Sequence, residues 1–193
     1  MGTLPSSPLF VFGSLLDDDI LSIVLGPGAS ERLHREPASL CGFHRRRVHG
    51  EPFPMLVEHP APEAEVAGAL LHGLDGEAWA RLRFYEGPGY ALRRLHVASG
   101  ERRRQRPADV FLATERLRDS GTPWDLDHWR RTEKPLAVLL ARDLMALYGQ
   151  TDPDGPPDAV WEDIKIRCRA RLSAVPERDH AHCSRTAASR GVD

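Results

Sequence analysis

The sequence predicts an α+β chain, and three observations carry that reading. Short apolar patches broken by Gly and Pro fill residues 37–74 and recur at 90–97 and 110–113. Acidic helix starts stand at Asp17-Asp18-Asp19 and at Asp75. The last third places leucines at helical spacing. In order along the chain, residues 9–12 form an apolar run that stops at Gly13-Ser14. Ile20, Leu21, Ile23, Val24 and Leu25 follow the three aspartates. A buried strand, a tight turn and a helix whose acidic start suits its dipole account for this order, and Gly26-Pro27-Gly28 stops the helix. Leu40, residues 55–57 and residues 66–71 read as short strands with turns.

Asp75 caps the next helix, which carries Trp79, Leu82, Tyr85 and Glu86 before Gly87-Pro88-Gly89 ends it. A strand over 90–97 follows. Its apolar positions change parity, from Tyr90 and Leu92 to Leu95 and Val97, so a bulge near Arg93-Arg94 or burial on both faces is expected. The basic turn 100–106 leads to a strand at 110–113. Pro135 then starts a helix through Leu136, Leu139, Leu140, Leu144 and Leu147, with Gly149 just past its end. Residues 152–158 are a connector, and 161–172 read as a further helix, with the Ile164/Ile166 alternation leaving a short strand as the alternative. Beyond Val175 no apolar period remains and disorder is expected.

With 193 residues the chain can bury one substantial core. The 26 Lys+Arg against 28 Asp+Glu give no general attraction to nucleic acid or an anionic membrane. The basic residues are almost all Arg, with Lys134 and Lys165 the two lysines, and there is no Asn. Any site that needs a side-chain amide must therefore use Gln. Cys41, Cys168 and Cys183 are few, odd in number and far apart, which points to a reducing cytoplasm. Apolar runs such as 135–141 are too short to span a bilayer. Gly2 and Ser6 fit the loose myristoylation pattern, which has a high false-positive rate.

Two segments carry chemistry. Phe12-Gly13-Ser14-Leu15 offers backbone N–H groups at a strand-to-helix turn, a cradle for a carboxylate. Phe84-Tyr85-Glu86-Gly87, followed by Tyr90, sets a carboxyl at a helix end among aromatics, where its pKa can rise toward neutrality. Taken singly, each has a bland counterpart: a common Gly-Ser turn and a solvated surface charge.

Together, the apolar strand ending in Phe-Gly-Ser-Leu, Met55-Leu56-Val57, Gly68-Ala69-Leu70-Leu71, Leu82-Arg83-Phe84-Tyr85-Glu86-Gly87 and Tyr90 resemble the gamma-glutamylcyclotransferase-like family, in its avirulence-induced-gene branch. The later stretch, Gly121-Thr122-Pro123-Trp124 through Ile166-Arg167 to Ala170-Arg171-Leu172, resembles the cyclotransferase-like half of a tellurite-resistance protein fused to a Nudix hydrolase, without any Nudix box. The resemblance implies a small mixed β-barrel with flanking helices and a cavity at its mouth. It divides the chain into a leader (1–8), a barrel (9–114), a helical extension packed on the barrel (115–174) and a tail (175–193).

By the same resemblance, the activity is release of 5-oxoproline from a small molecule bearing a gamma-glutamyl group. The substrate's α-amine attacks its own γ-carbonyl, with no metal or cofactor. Glu86 is implied as the general acid/base. Main-chain groups of Phe12, Gly13, Ser14 and Leu15 would hold the substrate's α-carboxylate, and Tyr90 would line the cavity. Many cyclotransferases carry Tyr and Asn where this chain has Phe12 and Leu15; Leu15 is usual in the avirulence-induced-gene branch. No nucleic-acid or membrane partner is implied, and a homodimer is left open.

The remaining candidates are read as structural. Residues 45–47 and 102–104 are densely basic without interleaved aromatics, which suits solvated strand ends. Arg93 and Arg94 lie near the implied site and are divided between substrate contact and exposure. His180, His182 and Cys183 lack a fourth ligand. Cys41 and Cys168 are assigned to core or interface, and Trp124, Trp129 and Trp161 to packing helices on the barrel. The alternative to an enzyme is a ligand-binding or regulatory module using the same cavity, for a nucleotide-like or amino-acid ligand. An open cavity with Glu86 facing inward beside Gly13-Ser14 favours the enzyme.

Overall fold

The computed structural model describes residues 7–29, 32–61 and 63–174. The acylation pattern at Gly2, the 175–193 tail and the His180/His182/Cys183 group lie outside the described residues. Strands β1 (Leu9–Val11), β2 (His34–Cys41), β5 (Glu65–His72), β6 (Tyr90–Ser99) and β7 (Arg104–Ala113) close into a barrel in the order β1-β5-β2-β6-β7. The seam is parallel, β1 against β7, and the other pairings are antiparallel. Strands β3 (Phe43–Val48), β4 (Pro54–Glu58) and β8 (Asp119–Pro123) make a second sheet in the order β4-β3-β8. Among the described residues, five α-helices complete the fold: α1 (Asp18–Leu25), α2 (Gly76–Glu86), α3 (Leu126–Thr132), α4 (Lys134–Met145) and α5 (Asp158–Ser173).

Two apolar cores meet at β1. Phe10 points into the barrel with Leu70, Val97, Ala108 and Val110. Leu9 and Val11 point the other way, into a layer formed with Ile20, Leu21, Trp79, Leu82 and Trp129. A strand buried on both faces needs no polar alternation, which is why residues 9–12 read as one apolar run. The same geometry explains β6. Its pairing with β7 runs unbroken from Tyr90 opposite Ala113 to Ser99 opposite Arg104, so there is no bulge at Arg93-Arg94. Tyr90 and Leu92 pack on the helix-covered layer, whereas Leu95 and Val97 pack inside the barrel. The parity change marks a switch in which face is covered.

Strand β1 lies close to β5. A Cβ on Gly68 would sit 2.3 Å from the Val11 carbonyl oxygen and 2.6 Å from Phe10 Cζ, so this position has no room for a side chain. Capping follows the acidic residues: the Asp17 and Asp75 side chains accept from the Asp19 and Ala78 amides. The Asp17 carboxylate also takes Arg130 Nε at 3.2 Å and Lys134 Nζ at 2.9 Å, tying α3 and α4 to the turn that follows β1. Burial opposes its charge, but hydrogen bonds from Lys134 and Arg130 prevail and hold the Asp17 carboxyl below the usual value.

Residues 119–123, expected within a wholly helical segment, form an edge strand instead, and 161–172 form helix rather than strand. Cys41 is exposed rather than in a core, whereas Cys168 is buried.

Candidate active site

A cavity of about 440 Å³ opens where the barrel meets α2, α4, α5 and the turn between β3 and β4. Its floor is the strand end: Phe10, Phe12, Gly13, Ser14 and Leu15 line it directly. The chain cannot run straight on from β1, because Ser14–Leu16 forms a single 3-10 turn in which the Leu16 amide donates to the Gly13 carbonyl at 3.0 Å. The first N–H groups of such a turn have no partner within it. A Cβ on Gly13 would lie 2.7 Å from Pro54 Cγ, so the turn packs backbone-first against the β3–β4 segment.

The far wall is the C-terminal end of α2 with residues 87–90. Helix α2 buries Ala78, Trp79, Leu82 and Phe84, and this leaves Tyr85 and Glu86 to face the cavity as the helix ends at Gly87. Enclosure by protein pushes the Glu86 carboxyl up from 4.5 to about 8, with no compensating cation paired to it among the described residues. The Tyr85 phenol lies 3.4 Å from Ser14 Oγ, and the Tyr90 phenol donates to the Pro54 carbonyl at 2.7 Å. Burial, and then the nearby Glu86 charge, raise both phenols above their ordinary value, so they remain protonated donors. A carboxyl that exchanges a proton near neutrality, two neutral phenols and a backbone turn therefore share one enclosed space.

A family model described as gamma-glutamyl cyclotransferase, AIG2-like, matches residues 9–131. The chain belongs to this family. Among its relatives are AIG2-like protein A of Arabidopsis thaliana, 23% identical over 155 residues that cover 78% of this chain and 88% of the relative. AIG2-like protein D of the same plant is 26% identical over 133 residues, covering 67% and 83%. Among solved structures, a chain titled gamma-glutamyl cyclotransferase superposes with a TM-score of 0.51 at 13% identity, covering 92% of each chain. At that identity the likeness supports the AIG2-like barrel fold alone.

All six residues singled out in the sequence, Phe12, Gly13, Ser14, Leu15, Glu86 and Tyr90, line the one cavity. The arginines are placed differently from expectation. Arg93 and Arg94 are outside the lining: Arg94 pairs with Asp109 at 3.2 Å, and Arg93 is exposed. Arg45 is not a solvated strand-end residue. Its Nη1 donates to the Phe12 carbonyl at 2.6 Å while the guanidinium lies 5.3 Å from the centre of the Trp124 ring, which fixes the floor of the cavity from behind. Arg47, on the same strand face, pairs with Glu133. The period of two along β3 separates Arg45 and Arg47 from Arg46.

Sequence reasoning gave Tyr85 no role of its own and passed over Glu51, Arg116 and Asp158; all four line the cavity. Tyr85 is signalled by its place beside Glu86. The other three come from turns and a helix start whose approach to the barrel is a tertiary matter. Trp129, assigned to packing, lines the cavity as well, and its indole N–H has no hydrogen-bond partner among the described residues.

Proposed function

We propose that this AIG2-like chain is a gamma-glutamyl cyclotransferase-type enzyme that releases 5-oxoproline from a gamma-glutamyl amine or peptide. The observation that carries the reading is Glu86: a carboxyl with its proton affinity raised to about 8, facing an open cavity whose floor is the Gly13-Ser14 turn. Main-chain N–H groups of that turn receive the substrate's α-carboxylate. This folds the substrate so that its α-amine meets its own γ-carbonyl carbon. The Glu86 carboxylate takes one proton from the α-ammonium. The freed amine then forms the new C–N bond of the five-membered ring, Glu86 returns its proton to the departing nitrogen as the bond to that nitrogen breaks, and the proton still left on the ring nitrogen passes through the same carboxylate to the departing amine, which leaves as an ammonium. The balance needs no water and no electron acceptor. Tyr85 and Tyr90 hold the cavity shape: Tyr90 gives its O–H to the Pro54 carbonyl, and the Tyr85 phenol, beside Ser14 Oγ, is the one free to donate to a carbonyl oxygen that gains charge.

The division into barrel and extension belongs to the same proposal, with 115–174 closing the cavity through Trp129, Leu140 and Trp161. So do the relation to the first domain of a tellurite-resistance Nudix fusion and a cytoplasmic location. Among the described residues no helix is long and apolar enough to cross a membrane. The test is incubation with a panel of gamma-glutamyl peptides and amines, with 5-oxoproline read by mass spectrometry. Turnover of at least one member is expected, and Glu86→Gln should abolish it while the variant stays folded. If every substrate is inert at high protein concentration, the cavity belongs to a ligand-binding module instead.

A further inference from the structure

The walls of the cavity have the wrong sign for the carboxylate end of a gamma-glutamyl ligand. Three carboxyl residues line it, Glu51, Glu86 and Asp158, against one guanidinium, Arg116, which lies 3.7 Å from Asp158. A positive charge bonded to no carboxylate stands one layer back, on β3. Arg45 Nη1 donates to the Phe12 carbonyl oxygen at 2.6 Å, and the guanidinium rests 5.3 Å from the centre of the Trp124 ring. Its Nε is buried and meets no acceptor among the described residues. The carboxylate whose charge reaches it, Asp125, accepts from the His128 amide at 2.7 Å as the cap of α3. Burial pulls the proton affinity of Arg45 down against the Asp125 charge, yet a guanidinium keeps its proton at any ordinary pH. A cation drawn out of water onto a neutral carbonyl is costly, and an apolar side chain of that length would pack the same space without the cost.

The Phe12–Gly13 peptide carries that charge forward without any contact between Arg45 and a ligand. The C=O and N–H of a trans peptide lie in one plane and point to opposite sides, so a cation on the oxygen sits away from whatever meets the nitrogen. Drawing electron density toward the Phe12 oxygen leaves the Gly13 N–H more positive and a stronger donor, as hydrogen bonds in a chain reinforce one another. The Gly13, Ser14 and Leu15 amides donate to no acceptor among the described residues, and all three residues line the cavity. The guanidinium field also reaches the same turn through protein rather than water, where it is screened less.

We propose that Arg45 is a positioning residue for the substrate's α-carboxylate, supplying through the Phe12–Gly13 peptide the positive charge that the cavity lining lacks. The identity of the ligand rests on the cyclotransferase reading; the cation behind the turn does not.

Calorimetry compares two ligands in a Glu86→Gln background, so that turnover does not intervene: gamma-glutamyl butylamine, and the same molecule with its α-carboxylate converted to a carboxamide. The carboxylate ligand should bind about tenfold or more tightly than the carboxamide. Arg45→Met should weaken the carboxylate ligand about tenfold or more and leave the carboxamide ligand within about twofold, which also reports an intact cavity. Arg45→Lys, which keeps the charge, should retain a larger carboxylate preference than Arg45→Met. Equal binding of the two ligands before Arg45 is changed, or failure of both to bind, would overturn the proposal without recourse to a variant. An equal loss for both ligands in Arg45→Met, the mark of a side chain that only braces β3 against β1, would overturn it too, and so would equal preferences in the Lys and Met variants. Release of 5-oxoproline by the wild-type protein is scored separately. A carboxylate preference that depends on Arg45, without 5-oxoproline, removes the reaction and keeps the role of Arg45. 5-Oxoproline with a carboxylate preference that ignores Arg45 does the reverse.

Discussion

Replacing Glu86 by Gln should make the protein more stable, and by an amount that depends on pH. The wild-type carboxyl ionises near 4.5 in the unfolded chain and near 8 in the folded one, because the protein encloses it without a partner cation. Below about pH 4.5 both states hold the proton and burial of a neutral carboxyl costs little. Between 4.5 and 8 the folded chain keeps a proton that the unfolded chain releases, so stability falls as pH rises. Above 8 both states are charged and the loss is complete. At about 1.4 kcal/mol for each tenfold change in proton affinity, the ceiling is about 5 kcal/mol. Glu86 faces a cavity open to water, and roughly half of that, about 2–3 kcal/mol, is the expected loss. Gln keeps the shape without the charge. Thermal unfolding of wild type and Glu86→Gln should therefore coincide near pH 4.5 and diverge steadily above it. By pH 8.5 the variant should unfold about 5–10 °C higher, at about 2–4 °C per kcal/mol for a domain of this size. A difference that is flat from pH 4.5 to 8.5, or a variant that loses stability as the pH rises, would refute the enclosure argument.

Two further substitutions probe the frame around the site. Gly68→Ala should lower stability by about 3 kcal/mol or more, since the added methyl meets the Val11 carbonyl and the Phe10 ring; denaturant titration gives the value, and a loss under 1 kcal/mol would mean that β1 and β5 separate easily. Arg45→Met keeps much of the packing on Trp124 but removes the donor to the Phe12 carbonyl, which should cost about 1–3 kcal/mol and weaken gamma-glutamyl ligands in calorimetry; unchanged ligand affinity would detach Arg45 from the site.

The sequence shows the site more clearly than the walls that enclose it. Residues 9–15 and 84–90 are local devices, a doubly buried strand running into a tight turn and a capped helix ending at glycine, and each leaves a mark in its own segment. Strand β8 leaves none. Asp119-Ser120-Gly121-Thr122-Pro123 has no apolar residue to bury and is held at a sheet edge by pairing with β3, so neither periodicity nor propensity reveals it. Arg45 was hidden for a different reason: an arginine triplet looks solvated until the strand's partners, Trp124 and Phe12, are known. The parity change in β6 was visible, but its cause depends on which face the helices cover, and that is a property of the packed molecule. Glu51 could not be singled out at all, because its neighbour Lys165 is 114 residues away.

The double burial of β1 also fixes when the site can form. Its ladder partners are 62 residues downstream on one side and 100 on the other, in Leu71 and Asp109. Until β7 has left the ribosome, strand β1 has only one of its two edges to pair, and the turn at Gly13 has no rigid base. Contacts of such long range make barrel closure slow relative to helix formation. A chain interrupted before β7 would present the three-residue strand Leu9–Val11 with an open edge, a feature that invites association with other chains. The strand made before both of its partners is thus among the last to acquire its shape.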